Sequence, residues 1–182
     1  MDIEDIKLIE PVVELKSEFF AMFKEFRMEN NDVIDGIGSI DADNFEDSVS
    51  RAKDHAKGMD LPEGWVAAST YWLLRRGRII GTCNLRHELN EFLRNYGGHI
   101  GFSICPSQRG RGYGRRVLAL VLKKAQAVGI KRALVTCDDN NIASARVIEK
   151  NGGKLADKVK TEYADFLVRR YWIELKGQSD DI

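Results

Sequence analysis

One segment constrains the fold more than any other. Ile100-Gly101-Phe102-Ser103-Ile104-Cys105-Pro106 runs into Gln108-Arg109-Gly110-Arg111-Gly112-Tyr113-Gly114, and a long helix with one apolar side follows. The residues before Pro106 read as a strand. After the loop, Val117, Leu118, Val121, Leu122, Ala125 and Val128 recur at helical spacing. Between strand and helix, Gly110, Gly112 and Gly114 let the main chain approach a ligand with no Cβ in the way. Such a junction points several backbone N–H groups at one place, at the positive end of a helix dipole. Arg109, Arg111, Arg115 and Arg116 crowd the same turn. The simplest ligand for that arrangement is a diphosphate.

Gly129 ends the helix, and 131–137 reads as a second strand, so strand, helix and strand form a βαβ crossover with its strands expected as parallel neighbours. Asp138-Asp139-Asn140-Asn141 supplies N-cap chemistry for a helix over 142–150, closed by Asn151-Gly152-Gly153. The stretches 155–161 and 166–175 make a hairpin, and the tail 177–182 is expected to fray. Upstream, 7–11 suits a short strand. From Val12 a helical stripe (Val13, Phe19, Phe20, Phe23, Phe26) runs to Asn30-Asn31, a loop covers 31–44, and a weaker helix covers 45–57. The runs 65–74 and 78–85, broken by Arg75-Arg76-Gly77, predict a β-hairpin, and 88–95 a helical turn. This order predicts an α/β (α+β) sandwich: a mixed, partly antiparallel sheet flanked by helices around a central βαβ core, not a doubly wound sheet.

Composition narrows the function classes. A chain of 182 residues with 43% hydrophobic and 31% charged residues is expected to form one soluble domain, 1–182. Its formal net charge of zero argues against bulk binding to nucleic acid or an anionic membrane. The arginine cluster is local, so it suggests a local anion. Cys83, Cys105 and Cys137 form no Cys-x-x-Cys pair and have no histidine at zinc spacing, so no metal is expected, and each reads as a small buried hydrophobe. The acidic start Met1-Asp2-Ile3-Glu4-Asp5 is unlike a signal peptide, and the longest aliphatic run, 117–122, is far too short to span a bilayer, which makes a cytoplasmic location the default.

The glycine motif differs from two better-known phosphate loops. A dinucleotide fingerprint spaces its glycines Gly-x-Gly-x-x-Gly, and a P-loop requires Gly-Lys-Ser/Thr. Here the pattern is Arg109-Gly110-Arg111-Gly112-Tyr113-Gly114, with Asn141-x-x-Ser144 and Glu149-Lys150-Asn151-Gly152-Gly153 after the next strand. This resembles the Arg/Gln-x-x-Gly-x-Gly signature of the GNAT superfamily of N-acetyltransferases, over about 98–155 and in the right order of elements. The last strand, with Arg170-Tyr171-Trp172, is similar to that of uncharacterised bacterial members. Helices over about 12–58 would then lie on the acceptor side.

The resemblance implies transfer of an acetyl group from acetyl-CoA to a primary amine by direct attack on the thioester, without a metal. Amides of Gly110, Arg111, Gly112, Tyr113 and Gly114 would hold the pyrophosphate, with Arg109, Arg111 or Arg115 adding charge-assisted bonds. Ser103 and Ile104 would pair their main chain with the pantetheine arm, Pro106 marking the open edge. Asn141 and Ser144 would help fix the cofactor. An N–H in the strand would polarise the thioester carbonyl. An alkyl ammonium, with a pKa of about 10, must first lose a proton. His99, on one face of the strand with Gly101 and Ser103, is the first candidate base, and Glu88, beside His87, the second. The family's thiolate-protonating tyrosine has no counterpart, because Ile148 stands there; Tyr163 and Tyr171 are available instead.

A small amine or amino-acid-type acceptor is the leading expectation, and the acidic loop 32–47 could attract a cationic one. The alternatives are a non-catalytic CoA-binding sensor and a protein acetyltransferase acting on Lys or an N-terminus. Trp65, Tyr71, Trp72 and Trp172 suit core packing first and a homodimer interface second.

Overall fold

The computed structural model describes residues 6–29 and 34–175. The acidic start, part of the loop expected over 31–44, and the tail lie outside the described residues. Strand β1 (Ile6–Ile9) leads through a 3₁₀ turn (Val13–Leu15) into α1 (Lys16–Met28), a loop, and α2 (Phe45–His55). A hairpin of β2 (Ala68–Arg75) and β3 (Arg78–Arg86) follows, then a π-helical turn (Leu93–Gly97) and β4 (Ile100–Ile104). Helix α3 (Tyr113–Ala127), β5 (Arg132–Asp138), α4 (Ile142–Glu149), β6 (Lys154–Thr161) and β7 (Ala164–Glu174) complete the chain.

The strands form two antiparallel sheets, in the orders β1-β2-β3-β4 and β5-β7-β6. Strands β4 and β5 are the neighbours that the βαβ pattern predicts. The α3 crossover brings them side by side, yet no ladder joins them. They meet at the start of β4, where His99 N–H donates to the Leu134 carbonyl (2.7 Å) and the Leu134 N–H donates to His99 Nδ1 (2.9 Å). Beyond that point a gap separates β4 from β5.

Two apolar layers hold the first sheet from opposite faces. On one face Val117, Leu118, Val121 and Ala125 of α3 pack with Leu73, Cys83, Leu85 and Ile100, and Val135, Ile148 and Tyr171 extend this cluster under the second sheet. Each fully buried aliphatic side chain there is worth about 1.5–3 kcal/mol, which is why a mostly polar helix surface is still held down. On the other face Phe19, Met22 and Phe26, spaced for one side of α1, meet Phe45 and Val49 of α2 over Trp72. Phe19 and Trp72 rings lie 5.7 Å apart, and Phe45 and Trp72 rings 6.3 Å. Tyr71 and Trp72 are therefore core residues and unavailable to a subunit interface, whereas Trp65 is exposed and Trp172 stacks under Arg132, 4.4 Å from its ring centre. No described helix is long and apolar enough to cross a membrane.

Candidate active site

The glycine loop forms a cradle of amides. Gly110 and Gly112 have φ of +74° and +82°, values that favour glycine, and the space where their Cβ atoms would stand is open. Among the described residues, Gly110, Arg111 and Gly112 donate no backbone hydrogen bond. Tyr113, Gly114 and Arg115 open α3, where N–H groups have no partner inside the helix, and Arg116 N–H is the first to close back, onto the Gly112 carbonyl. Six consecutive amides thus converge at one helix N-terminus. Gly114 also lets α4 come close: a Cβ there would stand 3.3 Å from Val147 Cγ2. At the N-terminus of α4 the Asn141 Oδ1 accepts from Ser144 N–H (3.0 Å), so the expected cofactor contacts Asn141 and Ser144 act first as a helix cap.

Not every expected arginine is available. Arg109 donates from Nη1 to Glu29 (2.8 Å) and from Nε to the Ile104 carbonyl (3.2 Å), so it ties the loop to α1. Arg111 and Arg115 are exposed at the cradle.

Strand register decides which main-chain groups face the gap. Cys105 N–H donates to the Ile80 carbonyl and Arg86 N–H to the His99 carbonyl, so odd-numbered residues of β4 turn their backbone to β3. Alternation then points the main chain of Ile100, Phe102 and Ile104 into the gap. Ser103, expected to share this role with Ile104, is corrected by this register: its backbone is paired with Thr82. Phe102, which sequence reasoning passed over, turns its backbone to the gap instead, and strict alternation from Cys105 was the available signal.

His99 is anchored at the apex of the gap. Its Nδ1 accepts from Leu134, which leaves the ring proton on Nε2 in the neutral form, so neither nitrogen presents a free lone pair. Burial, aided by Arg94 and Arg86, pulls its pKa down to about 4. This geometry argues for a structural clamp and against the expected base. Glu88 is exposed just past β3, beside His87, whose Nε2 shares a hydrogen bond with Ser69 Oγ (2.9 Å). Ile148 is fully buried in the core. Tyr171 is buried too, its hydroxyl donating to Glu149 (3.1 Å), while Tyr163 is exposed in the β6–β7 turn.

The sheet face opposite α3 is polar near the gap. Cross-strand pairs place Thr70 beside Asn84, and Asn84 beside Gly101. Asn84 Nδ2 donates to Thr70 Oγ1 (3.1 Å) and Arg86 Nη1 to the Gly97 carbonyl (3.1 Å). The loop before α2 lies flat on this face. Thr82 Oγ1 donates to the Gly36 carbonyl (2.8 Å), and a Cβ on Gly36 would stand 2.5 Å from the Gly101 carbonyl oxygen. On the other side of the opening, Phe92 packs against Tyr163 (4.8 Å between ring centres) and Tyr96 (5.6 Å).

The thiols are quiet. Burial pushes Cys105 up to about 12 and Cys137 up to about 11, and Cys83 is fully buried. Among the described residues no group of His, Cys, Asp and Glu could hold a metal ion.

Comparison with known proteins agrees with this geometry. Residues 18–154 match the family described as "Acetyltransferase (GNAT) domain". A search of curated proteins finds no match. Among solved structures, the Microcin C7 self immunity acetyltransferase in complex with acetyl-CoA and AMP is 15% identical, with 94% of this chain and 93% of that one covered and a TM-score of 0.66. A Salmonella typhimurium acetyltransferase that modifies the N-terminal serine of ribosomal protein L7/L12 is 16% identical over 95% and 96%, with a TM-score of 0.67. A further acetyltransferase from that organism, solved with acetyl-CoA, is 13% identical over 97% of each chain, with a TM-score of 0.64. At these identities the likeness is one of fold.

Proposed function

The chain belongs to the GNAT acetyltransferase family, with acetyl-CoA as its cosubstrate, and from that premise we propose direct transfer of the acetyl group to a small primary amine. The observation that carries this reading is the β4–β5 gap opening beside six undonated amides. Amides from Gly110 to Arg115 grip the diphosphate, and Arg111 and Arg115 add charge-assisted bonds. The pantetheine arm lies along the gap against the backbone of Phe102 and Ile104, and Asn141 and Ser144 border it from α4. One N–H in β4 polarises the thioester carbonyl. Residues over about 98–155 hold the cofactor, and those over about 12–58 shape the acceptor side.

The chemistry is a direct displacement. The neutral amine attacks the carbonyl carbon, a C–N bond forms, and the C–S bond breaks. The departing sulfur takes the second N–H proton, giving free CoA thiol. A thiolate leaves readily, so the buried Ile148, where relatives carry an acid, is no obstacle.

A small acceptor is favoured because the approach is walled on both sides. Gly36 presses the loop before α2 onto β3 and β4, and the Phe92, Tyr96 and Tyr163 rings stand across from it. The similarity to an enzyme acting on a protein N-terminus keeps a peptide α-amine as the second reading. Thiol release from acetyl-CoA with a panel of small amines and short peptides tests both. Small amines turning over best supports the proposal, and peptides turning over best replaces it with the second reading. CoA binding without thiol release for any acceptor makes the protein a sensor.

A further inference from the structure

We propose that Asp35 receives the proton of the acceptor ammonium, with Asp138 across the gap holding the positive charge beside it. This rests on the reading of the gap as an acetyl-transfer site. The thioester lies between β4 and β5, and α3 and α4 cover one side of it. An acceptor must come from the opposite face, so its proton must leave there.

Few groups on that face can take it. His99 Nδ1 accepts from the Leu134 N–H and its Nε2 carries the ring proton, so the neutral ring offers no free lone pair. Glu88 stands outside the strand, and Glu149 lies on the far side, bonded to Tyr171. Asp35 is otherwise placed. The Gly36 nitrogen next to it stands 3.3 Å from where a Cβ on Gly101 would be, and Arg86 Nη1 stands 3.1 Å from the same point. The Asp35–Gly36 peptide therefore overlies Gly101, one residue from Phe102, whose backbone faces the gap. Asp138 ends β5 at the other lip, on the same face as Thr136, whose hydroxyl donates to the Tyr96 carbonyl.

These groups lie within electrostatic reach of one another. The Asp35 carboxyl feels Arg86 and Asp138, and the Tyr96 hydroxyl feels both aspartates. Asp35 keeps an exposed surface, and crowding by protein raises its pKa from the ordinary carboxylate value. Arg86 opposes that rise and Asp138 adds to it, while burial raises Asp138 itself. The facing groups are Arg86 from β3, Tyr96 and Arg94 from the π-helical turn, His99 before β4 and Asp138 from β5.

The step balances. An R–NH3+ group gives one proton to the Asp35 carboxylate, and the freed lone pair attacks the carbonyl carbon. Asp35 hands its proton to water at the open mouth. The second proton leaves with sulfur.

The test compares Asp35→Asn, Asp35→Glu and Asp138→Asn with the unaltered protein, using the best acceptor from the amine panel. CoA affinity from calorimetry serves as a fold control. Asp35→Asn should lose about 100- to 1,000-fold in kcat with CoA affinity within about twofold, and its residual rate should climb with pH as free amine accumulates. Asp35→Glu should recover part of the loss. Asp138→Asn should mainly raise the acceptor KM and move the acidic limb of the kcat/KM profile to lower pH. An Asp35→Asn protein within about threefold of the original, with an unchanged pH profile, overturns the proposal and leaves the transferase reading standing. If the unaltered protein binds CoA but releases no thiol with any amine, both are overturned.

Discussion

Gly36→Ala tests the acceptor-side wall. At Gly36, φ is +79°, so alanine carries a left-handed strain of about 1–2 kcal/mol. The new methyl would stand 2.5 Å from the Gly101 carbonyl oxygen, 2.7 Å from Cys83 Cα and 2.9 Å from Phe102 Cα. All three are backbone atoms of the paired strands β3 and β4, so the loop must lift instead. Lifting breaks the Thr82–Gly36 hydrogen bond, worth about 1 kcal/mol, and exposes part of Ile34 and Ile40, about 2 kcal/mol more. The total is about 4–5 kcal/mol, or a fall in melting temperature of about 10 °C or more for a chain of this size. Gly77→Ala is the matched control: φ is again +79°, but no atom lies within 4 Å of the added Cβ, so only the strain remains. Thermal melts should rank Gly36→Ala well below Gly77→Ala. Acceptor KM should rise in Gly36→Ala alone, with CoA affinity unchanged in both. Equal melting of the two variants, with an unaltered acceptor KM, would refute the docked loop.

Other outcomes follow from the same geometry. Arg111→Ala should weaken CoA binding about tenfold in a salt-dependent manner, by calorimetry, whereas Arg109→Ala should change it little, because Glu29 already holds that guanidinium. Burial disfavours protonated His99, so the unfolded chain binds more protons between about pH 4 and 6.5. Up to about 3 kcal/mol of stability is then lost as pH falls through that window, and denaturant titrations of His99→Gln should show a flatter pH slope. With a carboxylate base, amino-acid amides, whose α-amines are about 2.5 pKa units more acidic than lysine-type amines, should give the higher kcat/KM among the small acceptors. Thiol-reactive reagents should label the folded protein far more slowly than the denatured one, since burial raises the pKa of all three thiols.

The glycine loop and the helix after it were legible in the sequence because they are local. The helix stripe from Val117 to Ala125 and the loop glycines lie within one continuous segment, and their spacing alone states the geometry. The acceptor side is assembled from distant segments, and periodicity is silent about it. Arg109 looks like a phosphate ligand until Glu29, at the end of α1, is seen to occupy it. His99 looks like a base until Leu134 claims its Nδ1. The βαβ pattern correctly makes β4 and β5 neighbours, yet it cannot say that one clamp at His99 and Leu134 is where their backbones meet. For Asp35 the advance sign was the acidic loop 32–47, but its sequence cannot say that Gly36 and Gly38 press that loop against the sheet.

Backbone amide hydrogen exchange, followed residue by residue with and without CoA, tests the central claim most directly. CoA should slow exchange at Gly110 to Arg115 and at Phe102, whose N–H faces the gap, and leave the β2–β3 hairpin unchanged. Tight CoA binding with no added protection at those amides would contradict the account.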